Sequence, residues 1–450
     1  MQNEYRIDEF IDSHKNEMIG FLEDLIRIPS VRGEQKPDMP YGEEINRALR
    51  FTQDKAEKMG FKTENFENRI CKVSYSSEYE NLGILCHLDI VNVNELKWKT
   101  PPFEPVIKDN MIFGRGASDN KGPSAAALYA LYAVKKLNIP LKYGVGLYFG
   151  TDEESGMSDF KQYLLNNTLP ENVFVPDACF PTGVTEKGSV QLCGSCETVS
   201  DKIIYADAGE SINIIPGKAV AKLKNISVYE VESILLKIKG IKYEIAKADD
   251  IITVKIDGRS AHSADPQNGI NAASALMELL SGIDKSNLVF EKISNSFGYG
   301  LLYGEGFGLQ DKRTTISLTG VNYKDGKFKI NIDSRVHFSE SAEKIFEIIK
   351  DKLPLKVNII HMVEPHTVSR NHKIVNTLQK IYREQTKRDD EPYDMNAMTY
   401  AHLKPDAVIF GGVMYEDGSC NAHGENECYN LETLVTAAKM FAKVIVEICG

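Results

Sequence analysis

The sequence predicts an α/β protein whose helix-layered mixed sheet is interrupted by a large α+β insertion. Three observations predict it. Up to residue 185, amphipathic helical patterns alternate with short apolar runs, as a sheet covered by helices requires. From residue 186 the apolar residues instead alternate with polar ones in short runs, as in strands with one wet face. After Pro365 the first texture returns. The expected division is therefore 1–185 and 365–450 for one domain and 186–364 for the insertion.

In chain order, residues 7–28 and 42–60 carry helical periodicity, the second stopped by Gly60. Residues 68–75 and 81–91 read as strands, followed by an irregular stretch with Trp98, Pro101, Pro102 and Pro105. A helix is expected over 121–137, a buried strand over 142–150 and a helix over 156–166. In the insertion, 251-IITVKID-257 and 328-FKINIDSRVHF-338 alternate as strands. Helical patterns lie at 228–239, 268–282 and 340–352, so that strand–helix–strand material occurs about twice. The chain closes with a helix over 371–386, a strand over 407–412 and a helix over 430–447.

Composition narrows the function classes. The chain has 450 residues, 42% hydrophobic and 26% charged, with a formal net charge of −11. An acidic surface repels phosphate backbones and anionic lipids, so neither nucleic acid nor a membrane is an expected partner. No run approaches the roughly 20 apolar residues of a membrane span. The charged N-terminus has no apolar core and does not resemble a signal peptide. The eight cysteines are scattered, which fits a reducing cytoplasm. Cys193 and Cys196 form one CxxC with no second pair beside it.

The chemistry concentrates in polar residues at strand ends. In 84-ILCHLDIV-91, His87 and Asp89 sit two apart in an apolar run, so they share one face of a strand. Buried groups of this kind need partners. Four further stretches offer them: 114-GRGASDNKGP-123 with Asp119, 150-GTDEESG-156 with Glu153 and Glu154, 174-FVPDACFP-181 with Asp177, and 421-NAHGENE-427 with His423. Each alone has a bland reading, such as a capped helix or a hydrogen-bonded core acid. Together, His87, Asp119, Glu154, Asp177 and His423 are the donor types zinc takes when no thiolate is used. Two divalent ions would carry +4 against −3 from Asp119, Glu154 and Asp177, leaving room for one hydroxide. Five side chains serve two ions if one carboxylate bridges. Asp119, in a glycine-flanked turn, is the natural bridge. Asp89 is placed to orient His87 through its second ring nitrogen. Glu153, beside a ligand without being one, has the position of a general base.

This ordered set of motifs resembles the dinuclear zinc peptidases that include carboxypeptidase G and the aminoacylases, and among them the PepV-type bacterial dipeptidases. The resemblance runs over essentially the whole chain. It implies two Zn²⁺ per chain, one held by His87, Asp119 and Asp177 and the other by Asp119, Glu154 and His423, with Glu153 as base and Asp89 orienting His87. It makes 1–185 and 365–450 a catalytic domain and 186–364 a lid. In the lid, His262 of 259-RSAHSADP-266 matches an oxyanion-stabilising histidine. Asn213 of 211-SINIIP-216 and Arg335 of 331-NIDSRVHF-338 match substrate-binding residues. Arg335 also reads as a plain ion pair with Asp333, His262 as a turn residue and Asn213 as a turn cap. The implied activity is zinc-dependent hydrolysis of a dipeptide by a monomer, the large lid supplying His262 from the same chain.

One stretch departs from the pattern. Where the dipeptidases carry glycines ending in Thr-Tyr-Ala-Arg, this chain has 395-MNAMTYAH-402. Thr399, Tyr400 and Ala401 remain, but His402 replaces the arginine. Arginine grips a carboxylate through two parallel bonds and histidine does not. His402 thus belongs to the candidate substrate site, and N-acyl amino acids stay open as alternative substrates. A silent metal- or ligand-binding protein and a redox protein built on the CxxC are the competing classes.

Overall fold

A computed structural model describes residues 2–310, 312–414, 416–419 and 421–450. The chain forms two compact units, Met1–Thr185 with His366–Gly450, and Glu186–Pro365.

The first unit is built on a nine-stranded mixed sheet. Its centre is four parallel neighbours in the order Gly144–Gly150, Glu80–His87, Asn172–Val175 and Val408–Phe410. Both faces are covered, and the period-2 alternation of the strands decides which residue goes where. Leu82, Ile84 and Cys86 enter the larger core, with helices Lys15–Ile26, Lys121–Lys136 and Leu431–Cys449. Leu85, Val173, Val175 and Ile409 point the other way, into a smaller core with Phe160, Tyr163 and Tyr400. Helix Lys121–Lys136 is alanine-rich and buried along nearly its whole length. Helix Leu431–Cys449 starts at Asn430, whose side chain accepts from the backbone N–H groups of Glu432 and Thr433. The periodicity expected as one helix over 7–28 is two, Gln2–Ser13 and Lys15–Ile26. The break is at His14, whose Nδ1 bonds the Phe10 carbonyl and the Ser13 hydroxyl.

The second unit is an eight-stranded antiparallel sheet with helices packed on it. Strand–helix–strand material does occur twice. Lys218–Leu223, Val228–Leu235 and Lys242–Ala248 make one copy; Lys327–Val336, Ala342–Lys352 and Lys356–Val363 make the other. Cys193 and Cys196 lie on strand Gly188–Glu197 as free thiols. Three apart on a strand, they project to opposite faces, so no CxxC turn exists for redox or metal chemistry. Cys420 lies outside the described residues. Among the described residues no helix is long and apolar enough to cross a membrane.

Candidate metal centre

Parallel α/β sheets place their sites beyond the carboxyl ends of the strands, and the first unit does so. His87 is the last residue of Glu80–His87, and Leu88 and Asp89 follow it. Thr151 to Glu154 follow Gly144–Gly150, and Asp177 follows Asn172–Val175. Asp119 comes from the turn before helix Lys121–Lys136, and His423 from the loop before helix Leu431–Cys449.

These side chains converge into two groups of three, each with donor atoms within 4.8 Å of one another: His87, Asp119 and Asp177, and Asp119, Glu154 and His423. Asp119 belongs to both. His87 Nε2 lies 3.1 Å from Asp119 Oδ1 and 3.5 Å from Asp177 Oδ1. His423 Nε2 lies 3.1 Å from Asp119 Oδ2 and 3.0 Å from Glu154.

The electrostatics show what such a set wants. Burial, then the charge of Asp177, raises Glu153 well above the ordinary carboxylate value. Burial and Asp119 push Glu154 up to about 7 despite the help of His423. Burial also raises Asp177. Burial opposes protonation of His87, but Asp177, Asp119 and Asp89 together outweigh it and raise its pKa well above the ordinary value. His423 is raised to about 11 by its bonds to Asp119 and Glu154. This is a pocket of crowded carboxylates calling for positive charge. Two imidazoles and three carboxylates in two triads are a donor set that divalent zinc takes. The residues fit the metal pair that the resemblance implies.

The remaining expected residues take distinct positions. The bond from His87 Nδ1 goes to the backbone carbonyl of Asp89 at 3.0 Å, and the Asp89 carboxylate lies 3.4 Å away. That carboxylate also accepts from the backbone N–H groups of Glu153 (3.3 Å) and Glu154 (3.0 Å), tying the next ligand loop to the His87 strand. Glu153 is half-buried and outside both groups of three. His402, in the short helix Tyr400–Leu403, lies with its ring 5.5 Å from that of His366.

His262, Asn213 and Arg335 belong to the second unit and assemble there. Ile214 pairs with His262 in a two-stranded ladder, and Ser263 N–H donates to the Asn213 carbonyl at 3.0 Å. The wholly buried Asp333 accepts from Ser263 Oγ at 2.5 Å and from Arg335 Nε at 3.1 Å. Arg335 therefore does pair with Asp333, through Nε.

Sequence reasoning passed over three buried residues. Asp159 accepts from the backbone N–H groups of Thr151 (2.7 Å) and Asp152 (3.0 Å), and from the Tyr400 hydroxyl. Glu427 gathers donors from the 115–119 turn. Lys121 donates to the Leu25 and Ile28 carbonyls at 2.9 and 2.7 Å. A charged residue inside an apolar or glycine-rich run was the available signal.

The sequence pattern described as "Peptidase family M20/M25/M40" matches residues 83–447. A protein of Staphylococcus aureus (strain bovine RF122) named as a "Putative dipeptidase" is 28% identical over 465 residues, covering 98% of this chain and 99% of its own. One of Staphylococcus epidermidis with the same name is also 28% identical, with the same coverage. The fold is similar to that of human carnosine dipeptidase 1 (TM-score 0.60, 14% identical, 99% of both chains). It is also similar to that of the di-peptidase Dug1p of Saccharomyces cerevisiae (TM-score 0.61, 15% identical, 99% of this chain and 98% of that one).

Proposed function

The chain belongs to peptidase family M20/M25/M40 and is a metallopeptidase, and on that footing we propose that it hydrolyses the amide bond of a dipeptide with two bound zinc ions. The observation that carries this reading is Glu153. It belongs to neither of the two three-residue donor groups that share Asp119, yet its carboxyl feels the charges of Asp177, His87 and Glu154 from those groups.

His87, Asp119 and Asp177 would hold one ion, and Asp119, Glu154 and His423 the other. Such a pair supplies Lewis acidity, which polarises a carbonyl and acidifies water. The chain's own residues do the rest. Glu153, its pKa raised by burial and Asp177, is suited to accept a proton from the attacking water and return it to the leaving nitrogen. The water oxygen bonds to the carbonyl carbon, the C–N bond breaks, and that same proton completes the amine. Asp89 fixes the loop that carries the base. His262 stabilises the oxyanion, while Asn213, Arg335 and His402 hold the substrate's polar ends. The second unit acts as a lid that limits the site to small substrates and excludes water. The large insertion supplies His262 from the same chain, and on that reading the protein works as a monomer.

A second reading, hydrolysis of N-acyl amino acids at the same centre, is favoured by the 395–402 stretch, where His402 stands in place of an arginine. One experiment separates them: a panel of dipeptides and N-acetyl amino acids, assayed with chelator and with zinc added back. Chelator-sensitive cleavage of dipeptides supports the first reading. Cleavage of N-acetyl compounds alone replaces it with the second.

A further inference from the structure

The two ligand loops that complete the centre are far apart in sequence, and one buried carboxylate joins them. Glu427 is fully buried. Its backbone is brought to the 111–119 segment by an antiparallel pair in which Cys428 faces Phe113, and its carbonyl accepts from Gly114 N–H at 3.0 Å. Its carboxylate then takes five donors. Oε2 accepts from Arg115 Nη1 at 2.7 Å and Gly116 N–H at 2.8 Å. Oε1 accepts from Ser118 N–H at 2.8 Å, Ser118 Oγ at 2.9 Å and Asp119 N–H at 3.0 Å.

The other arm of Arg115 reaches back. Its Nη2 donates to the Gly424 carbonyl at 2.7 Å, one residue after His423. The turn it grips is left-handed at three positions: Asn421, His423 and Asn426 have φ of 62°, 62° and 60°, backbone that asparagine and histidine adopt more readily than most side chains. Arg115 is itself fixed beneath Trp98, 5.3 Å from the ring centre. The path therefore runs from the Asp119 backbone through Glu427 and Arg115 to the backbone beside His423.

We propose that Glu427 is a positioning residue for the metal centre: with Arg115 it sets the spacing between Asp119 and His423, and so fixes the geometry of the ligand group they share. It touches neither substrate nor metal. The inference rests on the proposed metal centre, so its primary readout is zinc retention, with hydrolysis followed in parallel.

The test compares zinc-loaded wild type, Glu427→Gln and Arg115→Lys. For each, zinc content, zinc affinity by chelator competition, kcat, KM and the melting temperature of the metal-free protein are measured. Outer residues that orient ligands typically change affinity or activity about 10–100-fold. Glu427→Gln, which turns an amide NH₂ toward a cluster of donors, is expected to weaken zinc binding by that factor. It should lower kcat with KM within about threefold. Arg115→Lys keeps a charge for Glu427 but has no second arm for Gly424, and is expected to loosen the zinc equivalent held through His423 and spare the other. If Glu427→Gln lowers only the metal-free melting temperature while both variants bind zinc within about threefold of wild type, Glu427 merely holds the fold and the inference falls. Should Glu427→Gln fail to fold, unchanged zinc binding by Arg115→Lys overturns the inference by itself. Wild type that binds zinc and cleaves no dipeptide would defeat the proposed function and leave the comparison of zinc affinities intact.

Discussion

His423 and Asp119 face each other at 3.1 Å, Nε2 to Oδ2, while the other Asp119 oxygen lies 3.1 Å from His87 Nε2. One carboxylate is thus shared by two imidazoles from opposite ends of the chain. Removal of metal should return this set to mutual repulsion among its acids. Exhaustive dialysis against chelator is expected to abolish hydrolysis and lower the melting temperature. An ion at a hundredfold its Kd adds about 2.7 kcal/mol, or about 5 °C for a unit of this size. Calorimetric scans with and without zinc check this. A melting point unmoved by metal would mean the donors hold none.

Glu153→Gln preserves shape and removes the base. Turnover should fall at least about 100-fold, as loss of general-base catalysis costs, with zinc content unchanged. Metal analysis beside steady-state rates decides it. A rate within about tenfold of wild type assigns the proton transfer to another group.

His262→Ala should slow turnover by about 10²–10³-fold, the cost of losing one oxyanion donor, and leave zinc untouched, since His262 is in neither donor group. The contrast with His423→Ala is diagnostic: that change should release metal as well. An unaffected rate in the His262 variant removes it from the chemistry.

Tyr400→Phe deletes the hydroxyl that Asp159 accepts inside the smaller core. Leaving a buried acid short of a donor costs about 1–3 kcal/mol. Because Asp159 also holds the Thr151 and Asp152 N–H groups, kcat should fall with stability. Urea unfolding and kinetics on the same sample test the pair. Lost stability with full kcat would confine Tyr400 to packing.

His402→Arg restores the charge that the dipeptidase pattern carries at this position. If His402 meets a substrate carboxylate, KM for a dipeptide should drop several-fold while kcat changes little. Equal KM values for both proteins would place His402 away from substrate.

The two groups of three converge on residues the sequence singles out, because histidines and acids inside apolar runs must find partners. Their supports were not legible. Asp159 and Tyr400 lie 241 residues apart, and Glu427 and Asp119 308 apart. No local pattern announces such pairs. The layered sheet was legible from period and composition. The break at His14 was not: apolar spacing runs straight through it, and the interruption is a local competition between side-chain and backbone bonds. Nor was the double duty of Asp89, whose same-face relation to His87 was expected but whose bonds to Glu153 and Glu154 N–H groups depend on the neighbouring strand.

The interruption of the first unit also sets an order of events during synthesis. Strand Val408–Phe410 and His423 emerge only after the whole of Glu186–Pro365 has been made. The nascent chain carries His87, Asp119, Glu154 and Asp177 without their last partner for the time that segment and its sequel take. At about 5–20 residues per second, this is of the order of ten seconds to a minute after Asp177 is translated. Strands Thr182–Glu186 and His366–Thr367 are sheet neighbours, with Val368 N–H donating to the Val184 carbonyl at 2.8 Å. The late segment thus returns beside the point of departure. A ribosome-bound fragment ending before residue 408 should carry four of the five donors, with the group that needs His423 incomplete. Full-strength metal loading therefore belongs to the finished polypeptide.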